Sequence, residues 1–196
     1  MRSAQLKRDT KETQIAVSID LDGSGEARVD TGVGFFDHML DHLARHGGLD
    51  LEVRAQGDLH IDAHHTVEDV GICLGKAFLE ALGTPRGIVR YGHAVVPMDE
   101  ALAEAAVDIS GRPFLSYDAA VPGERIGAFD VELAEEFLRA FAVNARITLH
   151  VVLRHGTNAH HCVEGIFKAV ARALRQAVSI DPRVQGVPST KGMLET

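Results

Sequence analysis

Apolar residues alternate with polar ones near the start of the chain. In TQIAVSIDLDGSGEARVDTG, Ile15, Val17 and Ile19 share one face, Asp22 and Gly23 punctuate the run, and Ala27 and Val29 resume it. That pattern predicts a β-hairpin. The period then changes. In GFFDHMLDHLARHGG (34–48), Phe35, Met39, Leu40 and Leu43 recur at helical spacing until Gly47 and Gly48 stop them. LDLEVRAQGD alternates again, and HHTVEDVGICLGKAFLEALG (64–83) predicts a long helix closed by Gly83 and Pro85. The first half reads β-β-α-β-α after a polar start.

The second half repeats this grammar. YGHAVVPMDEALAEAAVDIS and RPFLSYDAAV predict strands around Gly111, and DVELAEEFLRAFAVNA (130–145) sets Leu133, Phe137, Leu138 and Phe141 on one helical face. RITLHVVLRHG alternates as a strand, and HHCVEGIFKAVARALRQAV predicts the closing helix. A repeat of about 96 residues is too long for a solenoid unit and points to a duplicated half-domain. The expectation is an α+β fold in which mixed sheets are flanked or sandwiched by helices. It forms one domain of two pseudo-repeats, about 8–88 and 89–184, followed by an aperiodic tail over 185–196.

Composition narrows the function without naming it. A chain of 196 residues with 45% hydrophobic content suits one ordinary core. A formal net charge of −8 with no basic run argues against a nucleic-acid binder, although local Arg and Lys could hold a small anion. Cys73 and Cys162 are isolated in apolar helical surroundings, which predicts buried thiols rather than a disulfide. The N-terminus has no apolar signal core, and no run reaches the roughly 18 apolar residues of a membrane span. A soluble, cytoplasmic protein is expected.

Eleven histidines, with no tryptophan, would mean little if scattered. They are clustered. HIDAHHTVEDVG (60–71) and NAHHCVEGI (158–166) both write HHxxE at a predicted helix start. Positions i and i+4 share a helix face, so His64 can meet Glu68, and His160 can meet Glu164. Adjacent residues point about 100° apart. His65 and His161 therefore address other ions, or other subunits, than their neighbours do. Two metal sites are expected, each drawing on both halves. Counting back to the preceding helix of each half reaches His38 and Glu136. The candidate ligands are His38, His64, His65, Glu68, Glu136, His160, His161 and Glu164. Imidazole with carboxylate and no thiolate suits Mn²⁺, Fe²⁺, Co²⁺ or Zn²⁺, and a carboxylate-rich six-coordinate site leans towards Mn²⁺. Histidine pairs also occur as solvent-facing helix starts, but that reading does not explain two pairs with matching glutamates in matching half-repeats.

The stretches DTGVGFFDHMLDHLARHG, HIDAHHTVEDVGICLGKA, DISGRPFL, NAHHCVEGIFKAVARALRQA and VPSTKG together resemble the imidazoleglycerol-phosphate dehydratase family, from about Arg8 to Leu194. The resemblance implies a duplicated fold like domain two of a ribosomal small-subunit protein, Mn²⁺ dependence with two ions per active site, and a hollow 24-subunit shell. It implies dehydration of D-erythro-imidazoleglycerol phosphate to imidazole acetol phosphate in histidine biosynthesis. It implies Glu12 as acid/base and substrate contact, with Glu68 and Glu164 as rivals for proton transfer. It further implies phosphate contacts from Arg90, Arg112, Lys168, Ser189, Thr190 and Lys191, so that the tail orders over phosphate. One departure stands out: Glu136 lies in EEF where many members have EHF. No fused phosphatase domain is expected.

The chemistry agrees with that resemblance. The substrate offers no carbonyl to stabilise a carbanion. Metal on the ring nitrogens favours imidazolate and a diazafulvene-like intermediate, and one general base with one general acid then completes the reaction. Two other classes share parts of the pattern. A non-catalytic histidine-rich metal-binding shell would not need the Arg/Ser/Lys set. A metal-dependent hydrolase normally needs two metals bridged by a carboxylate, which diverging histidines do not favour.

Overall fold

The computed structural model describes residues 2–192 and residue 194. The first half folds as β1 (Ser3–Asp9), β2 (Thr13–Asp20), β3 (Ala27–Asp30), α1 (Gly34–Gly47), β4 (Asp50–Gly57) and α2 (His64–Leu82). The second half begins with β5 (Tyr91–Met98), β6 (Ala101–Asp108) and β7 (Phe114–Asp118). A short hairpin of β8 (Arg125–Ile126) and β9 (Phe129–Asp130) precedes α3 (Leu133–Ala145), β10 (Thr148–His155) and α4 (Ala159–Val178).

Each half builds a four-stranded sheet of identical topology, ordered β1-β2-β4-β3 in one and β5-β6-β10-β7 in the other. The β3–β4 and β7–β10 pairs are parallel, and the remaining pairs in both sheets are antiparallel. The α+β class and the duplication are those the sequence implied, with one further strand in each four-stranded sheet and the extra β8–β9 hairpin in the second half. The added edge strand in the first half is β1, whose apolar positions Ala4 and Leu6 are too few to register as a period. It pairs in full register with β2, from Ser3 opposite Asp20 to Asp9 opposite Gln14.

The hairpin expected across residues 13–30 does not form, because β4 lies between β2 and β3. Asp50 explains the detour. Its Oδ1 accepts the backbone N–H groups of Ser24 at 2.8 Å, Gly25 at 3.0 Å and Glu26 at 2.9 Å. The connection is thereby tied to the start of β4, and β3 docks along the far edge of that strand. Leu51 and Val53 are buried, so β4 is a central strand whose ladder groups are paired on both sides.

The helices bind the halves together. α2 packs on β1 and β2, α4 packs on β5 and β6, and the helices meet in two pairs, α2 with α3 and α1 with α4. Phe137 is stacked on Phe141 and Phe167 and meets Phe36 edge-on, so aromatic contacts cross the repeat boundary within one core. At the α2–α3 crossing, Gly71 and Gly75 permit close approach. A Cβ at Gly75 would sit 2.6 Å from the carbonyl oxygen of Phe141. The α1–α4 pairing matters most for function, because it brings a first-half helix against the second HHxxE motif. Among the described residues no helix is long and apolar enough to cross a membrane.

Candidate active site

The N-terminus of α4 is set by Asn158, whose side chain accepts the N–H groups of His160 at 2.9 Å and His161 at 3.3 Å. With the first turn fixed, His160 and Glu164 share a face, and His160 Nε2 lies 3.0 Å from Glu164 Oε2. His38 reaches the same oxygen from α1, Nε2 to Oε2 at 3.4 Å. Glu164 is the buried member, its side chain only 6% exposed, whereas His38 and His160 face solvent. Phe35 props the two rings, with its centroid 5.0 Å from that of His160 and 6.5 Å from that of His38. Ligand atoms of His38, His160 and Glu164 all lie within 4.8 Å of one another. The cluster joins the two half-repeats, with His38 from the first and His160 and Glu164 from the second.

Electrostatics prepare this cluster for a cation. Burial alone would raise the Glu164 carboxyl, but the Lys168 hydrogen bond and nearby His42 and His160 outweigh it and hold the group at about 2. Lys168 Nζ approaches Oε1, leaving Oε2 to the histidines. His42 was not singled out by the sequence. Its Nε2 lies 3.3 Å from Glu164 Oε1 and 3.2 Å from His38 Nε2. Burial drives it down to about 4, so it is a neutral imidazole at ordinary pH. The signal for it was present, since His42 follows His38 by one helical turn.

The first HHxxE motif opens α2. Asp62 Oδ1 accepts the N–H of His64 at 2.8 Å, the counterpart of the Asn158 contact. His65 Nδ1 contacts Asp58 Oδ2 at 2.9 Å and lies 4.0 Å from Glu12 Oε2. The Asp58 hydrogen bond raises His65 above its ordinary value against the opposing effect of desolvation, with a smaller contribution from Glu12. The turn carrying Glu12 is held by Thr10, whose hydroxyl accepts the N–H groups of Glu12 at 3.1 Å and Thr13 at 2.9 Å. Thr13 then donates to the buried Asp69 of α2. In the second motif, His161 Nδ1 contacts Glu100 Oε2 at 2.7 Å, which raises His161 and depresses Glu100 to about 2.

Not every predicted ligand meets another. Among the described residues, His38, His160 and Glu164 are the one group of three converging ligand atoms. His64 and Glu68 are half-buried on α2, while Glu136 is half-buried in the first turn of α3, the helix that packs against α2. His65 and His161 face their own carboxylates. Asp58 and Glu100 were missed by sequence reading because neither lies on the helix it serves.

The predicted phosphate residues largely assemble elsewhere. Arg90, Arg112, Ser189, Thr190 and Lys191 line one pocket with Tyr91, Pro188 and Leu194. Arg90 is already engaged, donating to Asp108 at 2.7 and 3.2 Å and to the Pro188 carbonyl at 2.8 Å. It therefore fastens the tail, while Arg112 and Lys191 are exposed cations of the pocket. Lys168 is the exception among the predicted set, lying against Glu164 and Met98.

Fold and site together define a duplicated α+β protein that presents imidazole–carboxylate clusters at helix N-termini and a cationic pocket lined in part by its tail. Known proteins share this fold. The profile of the imidazoleglycerol-phosphate dehydratase family matches residues 31–174. The chain is 62% identical over 194 residues to the imidazoleglycerol-phosphate dehydratase of Gluconobacter oxydans, covering 98% of both proteins. It is 64% identical over 193 residues to that of Symbiobacterium thermophilum, covering 98% of this chain and 93% of the relative. The crystal structure of the Staphylococcus aureus dehydratase superposes with a TM-score of 0.84 at 45% identity, over 91% of this chain and 99% of the other. The Pyrococcus furiosus enzyme in complex with (S)-C348 gives 0.83 at 39% identity, over 96% and 100%. The chain belongs to the imidazoleglycerol-phosphate dehydratase family.

Proposed function

We infer that the protein is a hydro-lyase that converts D-erythro-imidazoleglycerol phosphate to imidazole acetol phosphate and water in histidine biosynthesis. Family membership over nearly the full length supports the reaction. The convergence of His38 and His160 on an ionised, buried Glu164 is the observation that carries the mode of catalysis. Net dehydration breaks the C–O bond beside the imidazole ring and the C–H bond on the next carbon, and the resulting enol tautomerises to the ketone.

The donor set fits a divalent cation. Two imidazole nitrogens and a carboxylate within 4.8 Å, with no thiolate, suit Mn²⁺, Fe²⁺, Co²⁺ or Zn²⁺, and the family resemblance favours Mn²⁺ among them. His38, His160 and Glu164 would hold one ion. By the duplication, His64, Glu68 and Glu136 are their counterparts for a second, and His65 and His161 project outward to complete the sites of other copies. That division supports two ions per active site and a closed 24-subunit assembly. Mn²⁺ held by these residues would supply Lewis-acid polarisation of the substrate.

The chain's own residues do the rest. Glu12, 58% exposed and anchored by Thr10, moves the proton, with Glu68 and Glu164 beside the metals. Arg112 and Lys191 bind phosphate with Ser189 and Thr190, organised by Arg90, while Lys168 stays paired with Glu164. A storage role would leave this cationic pocket unused. Both cysteines are buried free thiols, consistent with a reducing, cytoplasmic setting. Incubating the purified protein with imidazoleglycerol phosphate and Mn²⁺ should give the acetol phosphate by NMR. No turnover under those conditions would reject the reading.

A further inference from the structure

The fold treats both histidine pairs alike and so singles out two carboxylates that no motif announces. In each pair the second ring stands nearly perpendicular to the first, at 90° for His64 and His65 and 81° for His160 and His161, with centroids 6.2 Å apart. That second imidazole is held at Nδ1 by a carboxylate from outside its helix: His65 by Asp58 at 2.9 Å, His161 by Glu100 at 2.7 Å. Glu100 is itself clamped, its Oε1 accepting the N–H groups of Thr157 at 3.1 Å and Asn158 at 2.8 Å. His161 Nε2 faces Asp99 at 3.8 Å, beyond hydrogen-bond reach, so that nitrogen is uncommitted. Asp58 follows β4 directly, with its side chain 11% exposed.

A neutral imidazole that donates Nδ1–H to a carboxylate keeps its lone pair on Nε2, and such a partner orients a ligating histidine and raises its basicity. We propose that Glu100 and Asp58 are positioning residues that hold His161 and His65 as Nδ1–H tautomers with Nε2 presented for ligation. This rests on the metal reading above. It also accounts for an asymmetry between the halves. Glu12 and Glu100 occupy matching positions, each immediately before the second strand of its half. Glu100 is locked between one histidine and two backbone donors, whereas Glu12 stands 4.0 Å from His65 with an exposed side chain. Asp58 has taken over the orienting contact in the first half, and that releases Glu12 for proton transfer.

Glu100→Gln separates orientation from simple support. The glutamine carbonyl can still accept from Thr157 and Asn158 while its NH₂ faces Nδ1, so His161 must carry its proton on Nε2. In metal-free protein labelled with ¹⁵N-histidine, at a pH high enough to leave the imidazole neutral, His161 should report Nδ1–H in the wild type and Nε2–H in the variant. Mn²⁺ affinity, read from free-ion EPR during titration, should fall about 10–100-fold for the ion held by His161. Thermal unfolding of the metal-free protein should stay close to the wild type. Asp58→Asn makes the same test at His65 should one variant fail to fold, and His161→Ala sets the floor. Unchanged affinity in the variants, while His161→Ala loses an ion, overturns the proposal and leaves the metal reading intact. Weaker binding without a tautomer change also overturns it. Wild-type protein that takes up no Mn²⁺ overturns both.

Discussion

Glu12 shows how far a single residue's role can sit from its sequence signature. It lies at a strand start with nothing periodic around it, and only the fold brings it to His65. In the proposed reaction, Glu12→Gln keeps size and hydrogen bonding but removes the base. Turnover should drop by roughly 10²–10⁴-fold with metal content unchanged in elemental analysis. Near-normal turnover would shift proton transfer to Glu68 or Glu164. The outer histidines give a pH prediction. Both are raised by their carboxylates, so in metal-free protein the protonated form is favoured below the ordinary histidine value of 6.5 and lost as pH rises through the raised one. Metal competes with that proton. Mn²⁺ uptake should therefore strengthen as pH climbs past 6.5, and pH-independent titrations would contradict this. The His160–Glu164 contact was legible because i,i+4 spacing encodes a shared face. Asp58, Glu100 and the Arg90–Asp108 pair were not, because those contacts join elements that only tertiary structure brings together.

At the scale of elements, helices were legible and strand pairing was not. The periodicity of α1 through α4 survives in the structure, because each helix buries one apolar face. The run from Ile15 to Val29 carried the right alternation, yet Asp50 redirected its second strand to β4, a choice written in side-chain hydrogen bonds rather than in period. The α2–α3 crossing offers a check on the packing. Gly75→Ala places a methyl against the Phe141 carbonyl and Asn144 Cβ, at 2.6 and 2.8 Å before relaxation. Overpacking of this kind costs roughly 1–3 kcal/mol. Denaturant unfolding of the metal-free variant should show that loss, and an unchanged midpoint would mean the helices are not closely packed there. Metal affinity at the α1–α4 cluster should change less than stability, since His38, His160 and Glu164 lie on the other helix pair.

For the whole molecule, duplication supplies one set of converging ligands among the described residues and pairs His65 and His161 with carboxylates of their own. Closed assembly follows from that arrangement in the proposed function. Adding Mn²⁺ to metal-free protein should convert small oligomers into a larger particle of defined mass by light scattering. The same mass with and without metal would count against shared sites. The enzyme is a hydro-lyase of the imidazoleglycerol-phosphate dehydratase family, and the central claim is that its helix-end histidines and glutamates work by holding metal. The most direct test measures dehydration of imidazoleglycerol phosphate before chelation, after chelation and dialysis, and after Mn²⁺ is restored. Activity should vanish with the metal and return with it, and His160→Ala should not be rescued. Full turnover by protein shown to be metal-free would contradict the account.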